Sequence, residues 1–124
     1  MAYKIKRKRD KDLWLKHLRS GEHQQTKGAL GRVGEEGIEK NCCLGLICKV
    51  TRTVERRPTA TGCVWYGVHL CNLPTSMQER LGIDLVGTPN KSVRFLGRLY
   101  ETLAGLNDAG APFEFIADVI EEQF

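Results

Sequence analysis

The sequence lacks any long apolar run. Its longest apolar stretch, from Cys42 to Cys48, stops at Lys49, whereas a membrane-spanning helix needs about 20 apolar residues. The basic N-terminal segment has no apolar stretch behind it, so we expect no secretory signal. A length of 124 residues suffices for one hydrophobic core and is too short for two. We therefore predict one globular domain with no membrane contact.

Metal-binding and disulfide patterns are also missing. The five cysteines are an odd number, and none of their spacings is C-x-x-C. Without a signal peptide, we expect reduced thiols. A zinc site would have to use Cys43 with Cys48, or Cys63 with Cys71 around His69, and zinc ligand pairs are usually closer in sequence. We therefore predict no metal and no cofactor.

An excess of positive charge is confined to the N-terminus. Residues 1–11 carry six basic side chains against Asp10, while the net charge of the whole chain is +4, so the remainder is slightly acidic. Such an arm can bind nucleic-acid phosphates without sequence preference. The favoured interpretation is a solvated, frayed terminus. The candidate nucleic-acid contacts in this arm are Lys4, Lys6, Arg7, Lys8 and Arg9.

Residues 12–124 predict a single α+β domain with a small antiparallel sheet packed against three or four helices. The apolar spacing predicts helices near 13–19, 75–81, 92–103 and 113–123, and strands at 50–55 and 62–70. Residues 42–50 fit either a helix capped by Asn41 or a buried strand. Residues 21–37 predict an ordered glycine-rich loop, residues 106–111 a turn, and the acidic last residues a frayed end.

Three blocks mix polar groups with glycines beside apolar runs. They are Leu18-Arg19-Ser20-Gly21 continuing to Gln25-Thr26-Lys27-Gly28, Asn41-Cys42-Cys43-Leu44-Gly45, and Leu106-Asn107-Asp108 continuing to Phe113-Glu114-Phe115-Ile116-Ala117-Asp118. A guanidinium and an ammonium beside flexible backbone can bind phosphate. The predicted ligand-binding residues are accordingly Arg19, Gln25, Lys27, Asn107 and Asp108. In the structural alternative, Arg19 pairs with a carboxylate such as Asp108, and Gln25 bonds loop backbone groups.

The cysteine block also allows a catalytic hypothesis. A thiol at a helix N-terminus has a lowered pKa, so Cys42 or Cys43 could be a nucleophile with His69 as its base. Free cysteines are, however, among the most buried residues in proteins. We therefore favour packing thiols over a Cys43–His69 pair, and a binding protein over an enzyme.

Together with Leu73-Pro74 and Leu81-Gly82, the three blocks resemble a family of small proteins encoded by tailed bacteriophages and prophages, over roughly residues 11–121. The resemblance implies a phage accessory protein that acts in the host cytoplasm against a host factor or host defence. It would sequester a phosphate-bearing small ligand, such as a nucleotide signal, and we expect a homo-oligomer. Three alternatives remain open: an inhibitor of a host protein, a cysteine-dependent enzyme, and a nucleic-acid-associated protein that uses the basic arm.

Overall fold

Short apolar segments separated by glycine-containing turns produce many short elements in the computed structural model, which describes residues 3–124. The helices are α1 (Lys8–Arg19), α2 (Cys43–Thr51), α3 (Thr75–Leu81), α4 (Leu103–Asp108) and α5 (Phe113–Gln123). The strands are β1 (Gly31–Val33), β2 (Glu39–Asn41), β3 (Arg56–Pro58), β4 (Cys63–Tyr66), β5 (Val93–Phe95) and β6 (Arg98–Tyr100).

The first four strands form one antiparallel sheet in the order β2-β1-β4-β3, and β5 and β6 form a separate hairpin. The α+β prediction with a small antiparallel sheet is therefore confirmed, with five helices in the described chain instead of three or four. On one face of the sheet, Val64 and Tyr66 are buried in the core. The alternate residues Cys63 and Trp65 point away from it, as the period of two predicts.

Helix α2 forms the centre of the core. The ambiguous segment is therefore a helix, and its residues 43–48 are all buried. Helices α1 and α4 pack against it, and α5 packs on α1 and α4. The Trp14 indole donates a hydrogen bond to the Cys43 carbonyl (2.9 Å). Gly45 permits this packing, since a Cβ there would lie 1.8 Å from the Leu30 carbonyl oxygen. Cys42, and not Asn41, caps the helix, because the Cys42 sulfur accepts from the Gly45 amide.

The predicted helix at 92–103 is wrong, because this segment forms the β5–β6 hairpin. Leu96 and Gly97 at its tip both have positive φ, as a tight two-residue hairpin turn requires. The spacing of threes and fours arose by coincidence: Phe95 and Tyr100 pack together on one face, whereas Leu96 and Leu99 are exposed.

Three further element boundaries differ from the predictions. The strand expected at 50–55 is wrong: α2 runs to Thr51 and ends at Arg52 in the left-handed region. Strand β4 stops at Tyr66, where a turn begins at Gly67. The turn expected at 106–111 is partly wrong, because α4 occupies Leu103–Asp108 and is capped by the Thr102 hydroxyl.

Both ends of the described part of the chain, residues 3–124, are docked, so the expected fraying is wrong for these residues. The Ile5 amide donates to the Phe124 carbonyl (3.0 Å), and the Lys6 amide donates to the Leu81 carbonyl (2.9 Å). Ile5 and Phe124 are both buried. Within residues 3–124 there is no helix whose length and hydropathy would let it cross a bilayer.

Candidate functional site

Two of the predicted ligand-binding residues, Gln25 and Asn107, form hydrogen bonds between segments of the protein. Asn107 is fully buried. Its Oδ1 accepts from Gln25 Nε2 (2.8 Å) and from the Cys43 amide (3.1 Å), and its Nδ2 donates to the Thr26 carbonyl (2.8 Å). Gln25 Nε2 also donates to the Ala111 carbonyl (2.8 Å). These amides join the 21–30 loop to α2 and α4. Both groups of the Asn107 amide and the Gln25 Nε2 are bonded within the protein, and the bond to the Ala111 carbonyl is the backbone contact that the structural alternative expected of Gln25.

The remaining predicted ligand-binding residues are not grouped around one pocket. Arg19 pairs with Asp118 (2.8 Å) and Glu121 (2.7 Å) of α5, so it pairs with carboxylates as the structural alternative held, although Asp108 is not one of them. Asp108 instead accepts from the Gly28 amide (3.0 Å). The exposed Lys27 lies beside Gly110 in the same corner. The Arg19 guanidinium and the Gly28 amide, two groups that a phosphate would need, therefore already bind carboxylates of the protein.

The structure does not support a Cys43–His69 catalytic pair. The Cys43 side chain is fully buried, and burial raises its pKa well above the usual thiol value. Burial also raises the pKa of Cys42 to about 11, which outweighs its position at a helix N-terminus. His69 lies in the turn after β4, and its backbone bonds to Tyr66. Among residues 3–124, the His69 ring has no hydrogen bond to a cysteine.

The basic arm is partly built into the fold. Lys6 Nζ donates to the Glu79 carbonyl (2.9 Å), and Lys8 lies 3.6 Å from Asp12 on the first turns of α1. Lys4, Lys6 and Lys8 line a cleft of about 420 Å³ that Glu121 also lines. The cations therefore lie on a structured surface, with the carboxylates of Asp12 and Glu121 among them.

A larger cleft, of about 690 Å³, lies elsewhere, where the ends of α1 and α2 meet strands β3 and β4. It exists because Arg52 ends α2 in a left-handed conformation (φ 55°), which turns the chain toward β3. The polar residues that line it are His17, His23, Lys49, Arg52, Arg56 and Tyr66. Sequence reasoning missed this site, although the basic residues that follow the apolar α2 segment could have indicated it.

The charge balance of this cleft is positive. Arg56 Nε contacts Glu39 Oε1 (2.5 Å), whereas Lys49 and Arg52 have no ion pair within the described chain. Glu39 also accepts from the Tyr66 hydroxyl. Burial raises the pKa of Glu39, but hydrogen bonds from Tyr66, Asn41 and Arg56 outweigh burial and lower the pKa overall. Glu39 therefore stays ionised and offsets only Arg56.

The two histidines form a coupled pair at the wall of the cleft. His17 Nδ1 and His23 Nε2 are 2.8 Å apart, so one ring donates to the other. Burial, together with the charges of Lys49 and His17, lowers the pKa of His23. The lowered pKa favours the neutral form of His23 at neutral pH.

From residue 6 to residue 124, the sequence matches a domain of unknown function, DUF8296. The chain belongs to the DUF8296 family. No curated protein and no solved structure shows significant similarity to it. The matched region of the DUF8296 domain includes every helix and strand described above, and with them all residues that line the 690 Å³ cleft.

The chemistry available in this DUF8296 cleft is that of anion binding. Arg52 and Arg56 offer N–H groups that suit phosphate oxygens, and Lys49 adds a point charge. The buried thiol among the lining residues, Cys48, has a strongly raised pKa because of its burial, so it is protonated and a poor nucleophile.

Proposed function

We propose that this DUF8296 protein binds a small phosphate-bearing ligand in the 690 Å³ cleft and does not transform it. The observation that carries this proposal is the cluster of Lys49, Arg52, Arg56 and two imidazoles around one concavity. The volume lies within the usual range of small-molecule pockets, about 300–1,000 Å³. The proposal keeps the ligand class expected from the sequence and assigns a different set of residues to it.

Among the described residues, the one paired and two unpaired cations of the cleft support phosphate binding there. Arg56 is held by Glu39, so its guanidinium is already oriented. Lys49 and Arg52 have no carboxylate partner among residues 3–124, and a phosphate would supply one. The apolar side chains of Val50 and Val54 line the same cleft and could contact an uncharged part of the ligand, such as a nucleoside.

The biological setting is part of the same proposal. The Leu-Arg-Ser-Gly, Cys-Cys-Leu-Gly and Leu-Asn-Asp blocks resemble those of bacteriophage and prophage proteins. In that setting the protein would act in the host cytoplasm and withdraw a nucleotide signal from a host response. Binding without turnover is sufficient for this role, which agrees with the protonated Cys48 beside the cleft.

The direct test is isothermal titration calorimetry with pyrophosphate and with adenosine diphosphate. Arg52→Gln should weaken binding about tenfold or more, which corresponds to about 1.4 kcal/mol. Lys91→Gln is the matched control, because Lys91 is exposed, lines a different groove with Glu122, and should leave the affinity unchanged. Equal affinities of the two variants, or no heat with either probe, would contradict the proposal.

A further inference from the structure

The outer face of the four-stranded sheet is a second basic surface, separate from the cleft. The register places Arg32 of β1 opposite Lys40 of β2 and opposite Cys63 of β4, and places Arg57 of β3 opposite Trp65 of β4. Paired residues share a face, and so do alternate residues of one strand. These five side chains therefore lie on one side of the sheet, which is the side away from the buried Val64 and Tyr66.

The positive charges on this face are not neutralised by buried carboxylates of residues 3–124. Arg32 and Lys40 are direct cross-strand neighbours, and like charges in that position are destabilising. Neither forms a salt bridge within the part of the chain that the structure describes. Arg57 does contact Glu55 (3.1 Å), but both side chains are more than half exposed, so that pair is easily exchanged. A polyanion lying on the face would relieve the repulsion.

Trp65 gives the same face a stacking surface. Its side chain is 37 % exposed although it belongs to a strand whose neighbours Val64 and Tyr66 are buried. The cations lie across the strands on both sides of it, with Arg57 directly opposite. Four strands spaced about 4.8 Å apart give a face about 14 Å wide, which accommodates a few nucleotides. An aromatic ring among cations on an open sheet is the arrangement with which proteins bind single strands.

We propose that this outer face binds single-stranded nucleic acid, with a base stacked on Trp65 and the phosphates on Arg32, Lys40 and Arg57. The surface differs from the basic N-terminal arm, and this inference does not rest on the proposed function of the cleft. Stacking and phosphate contact would give binding that tolerates many sequences and weakens with salt.

The chain contains an internal reference for the test. Of its two tryptophans, Trp65 is partly exposed and Trp14 is completely buried. Titration with a 12-nucleotide oligothymidylate and with an oligouridylate should quench the emission of Trp65 and leave that of Trp14. In Trp65→Phe, binding measured by anisotropy of a labelled oligonucleotide should persist while the quenching disappears. The DNA and RNA arms determine which strand is preferred.

The variants separate this face from other basic surfaces. Trp65→Ala should weaken oligonucleotide binding about tenfold, and Arg32→Gln should reduce the slope of log affinity against log salt by about 1. Arg52→Gln in the cleft and Lys8→Gln in the arm should change neither the oligonucleotide affinity nor its salt dependence. Quenching in Trp65→Phe, full affinity in Trp65→Ala, or loss only with Lys8→Gln would overturn the assignment.

Discussion

Leu96 has a backbone conformation that is unfavourable for a residue with a side chain. Its φ is +48°, in the left-handed region, and its side chain is 85 % exposed. A two-residue turn of this kind favours Asn followed by Gly, and here only the Gly97 position follows that preference. The left-handed conformation costs a residue with a Cβ about 1–2 kcal/mol.

Leu96→Asn should therefore raise the free energy of unfolding by about 1 kcal/mol. Chemical denaturation monitored by circular dichroism measures the change. Leu99→Asn is the matched control: Leu99 is also exposed, at 60 %, but it lies on β6 and has ordinary backbone angles. That control should show no gain. Equal effects of the two substitutions would mean that loss of exposed apolar surface, and not backbone strain, governs stability at this tip.

His23 gives a residue-scale test of the electrostatics of the cleft. Burial comes first among the causes that lower its pKa, followed by the charge of Lys49. Lys49→Gln should therefore raise the pKa of His23 toward its ordinary value near 6.5, as followed by NMR of the ring protons. Lys91→Gln should leave that pKa unchanged. An unchanged pKa in Lys49→Gln would place the lysine charge too far from His23 for the proposed cleft.

The elements show which parts of the fold can be predicted from sequence. Helix α3 was predicted because Pro74 and Gly82 give local start and stop signals, and α5 because Pro112 precedes a periodic apolar run. The hairpin was missed because its apolar residues also satisfy helical spacing. Only the pairing of β5 with β6, and their packing against Phe115 of α5, distinguishes the two.

The candidate site was harder to predict for a related reason. His17 and His23 are six residues apart, a spacing that no regular element brings together; the turn at Gly21 does so. The left-handed end of α2 at Arg52 is likewise not encoded by a glycine. By contrast, the amide of Asn107 was identified as important, but a polar residue bonded inside the protein and one that binds a ligand look alike in sequence.

Gly45 tests the packing of α2 at the element scale. Gly45→Ala would place a Cβ 1.8 Å from the Leu30 carbonyl oxygen, so α2 and the start of β1 must separate. We expect a loss of about 3 kcal/mol or more in the free energy of unfolding. Gly34→Ala is the control, because nothing lies within 4 Å of its added Cβ and its φ is not positive. A thermal melt that is unchanged in Gly45→Ala would contradict the packing of these two elements.

At the scale of the whole molecule, two arginines connect distant parts of the chain to different extents. Arg80 of α3 makes a bidentate contact with Asp10 of α1 (3.0 and 3.1 Å), and the Asp10 side chain is only 1 % exposed. Arg19 of α1 joins α5, but its partners Asp118 and Glu121 are 74 % and 60 % exposed. The burial of the carboxylate partner, and not the number of contacts, should determine how much each arginine contributes to the free energy of unfolding.

Arg80→Met should therefore lower the free energy of unfolding by about 3 kcal/mol, since it leaves the Asp10 carboxylate buried without its partner. Arg19→Met should cost no more than about 1 kcal/mol. Urea denaturation of the two variants measures the difference. A larger loss in the free energy of unfolding for Arg19→Met than for Arg80→Met would contradict the claim that burial determines the contribution of these ion pairs.

The most direct test of the proposed cleft is an NMR titration of the ¹⁵N-labelled protein with pyrophosphate. We expect saturable shifts of the His17 and His23 ring signals and of the Lys49 and Arg52 amides, with the Trp65 indole signal unmoved. Shifts confined to residues 4–9 of the N-terminal segment, or none at all up to millimolar pyrophosphate, would contradict the claim that this cleft is the binding site.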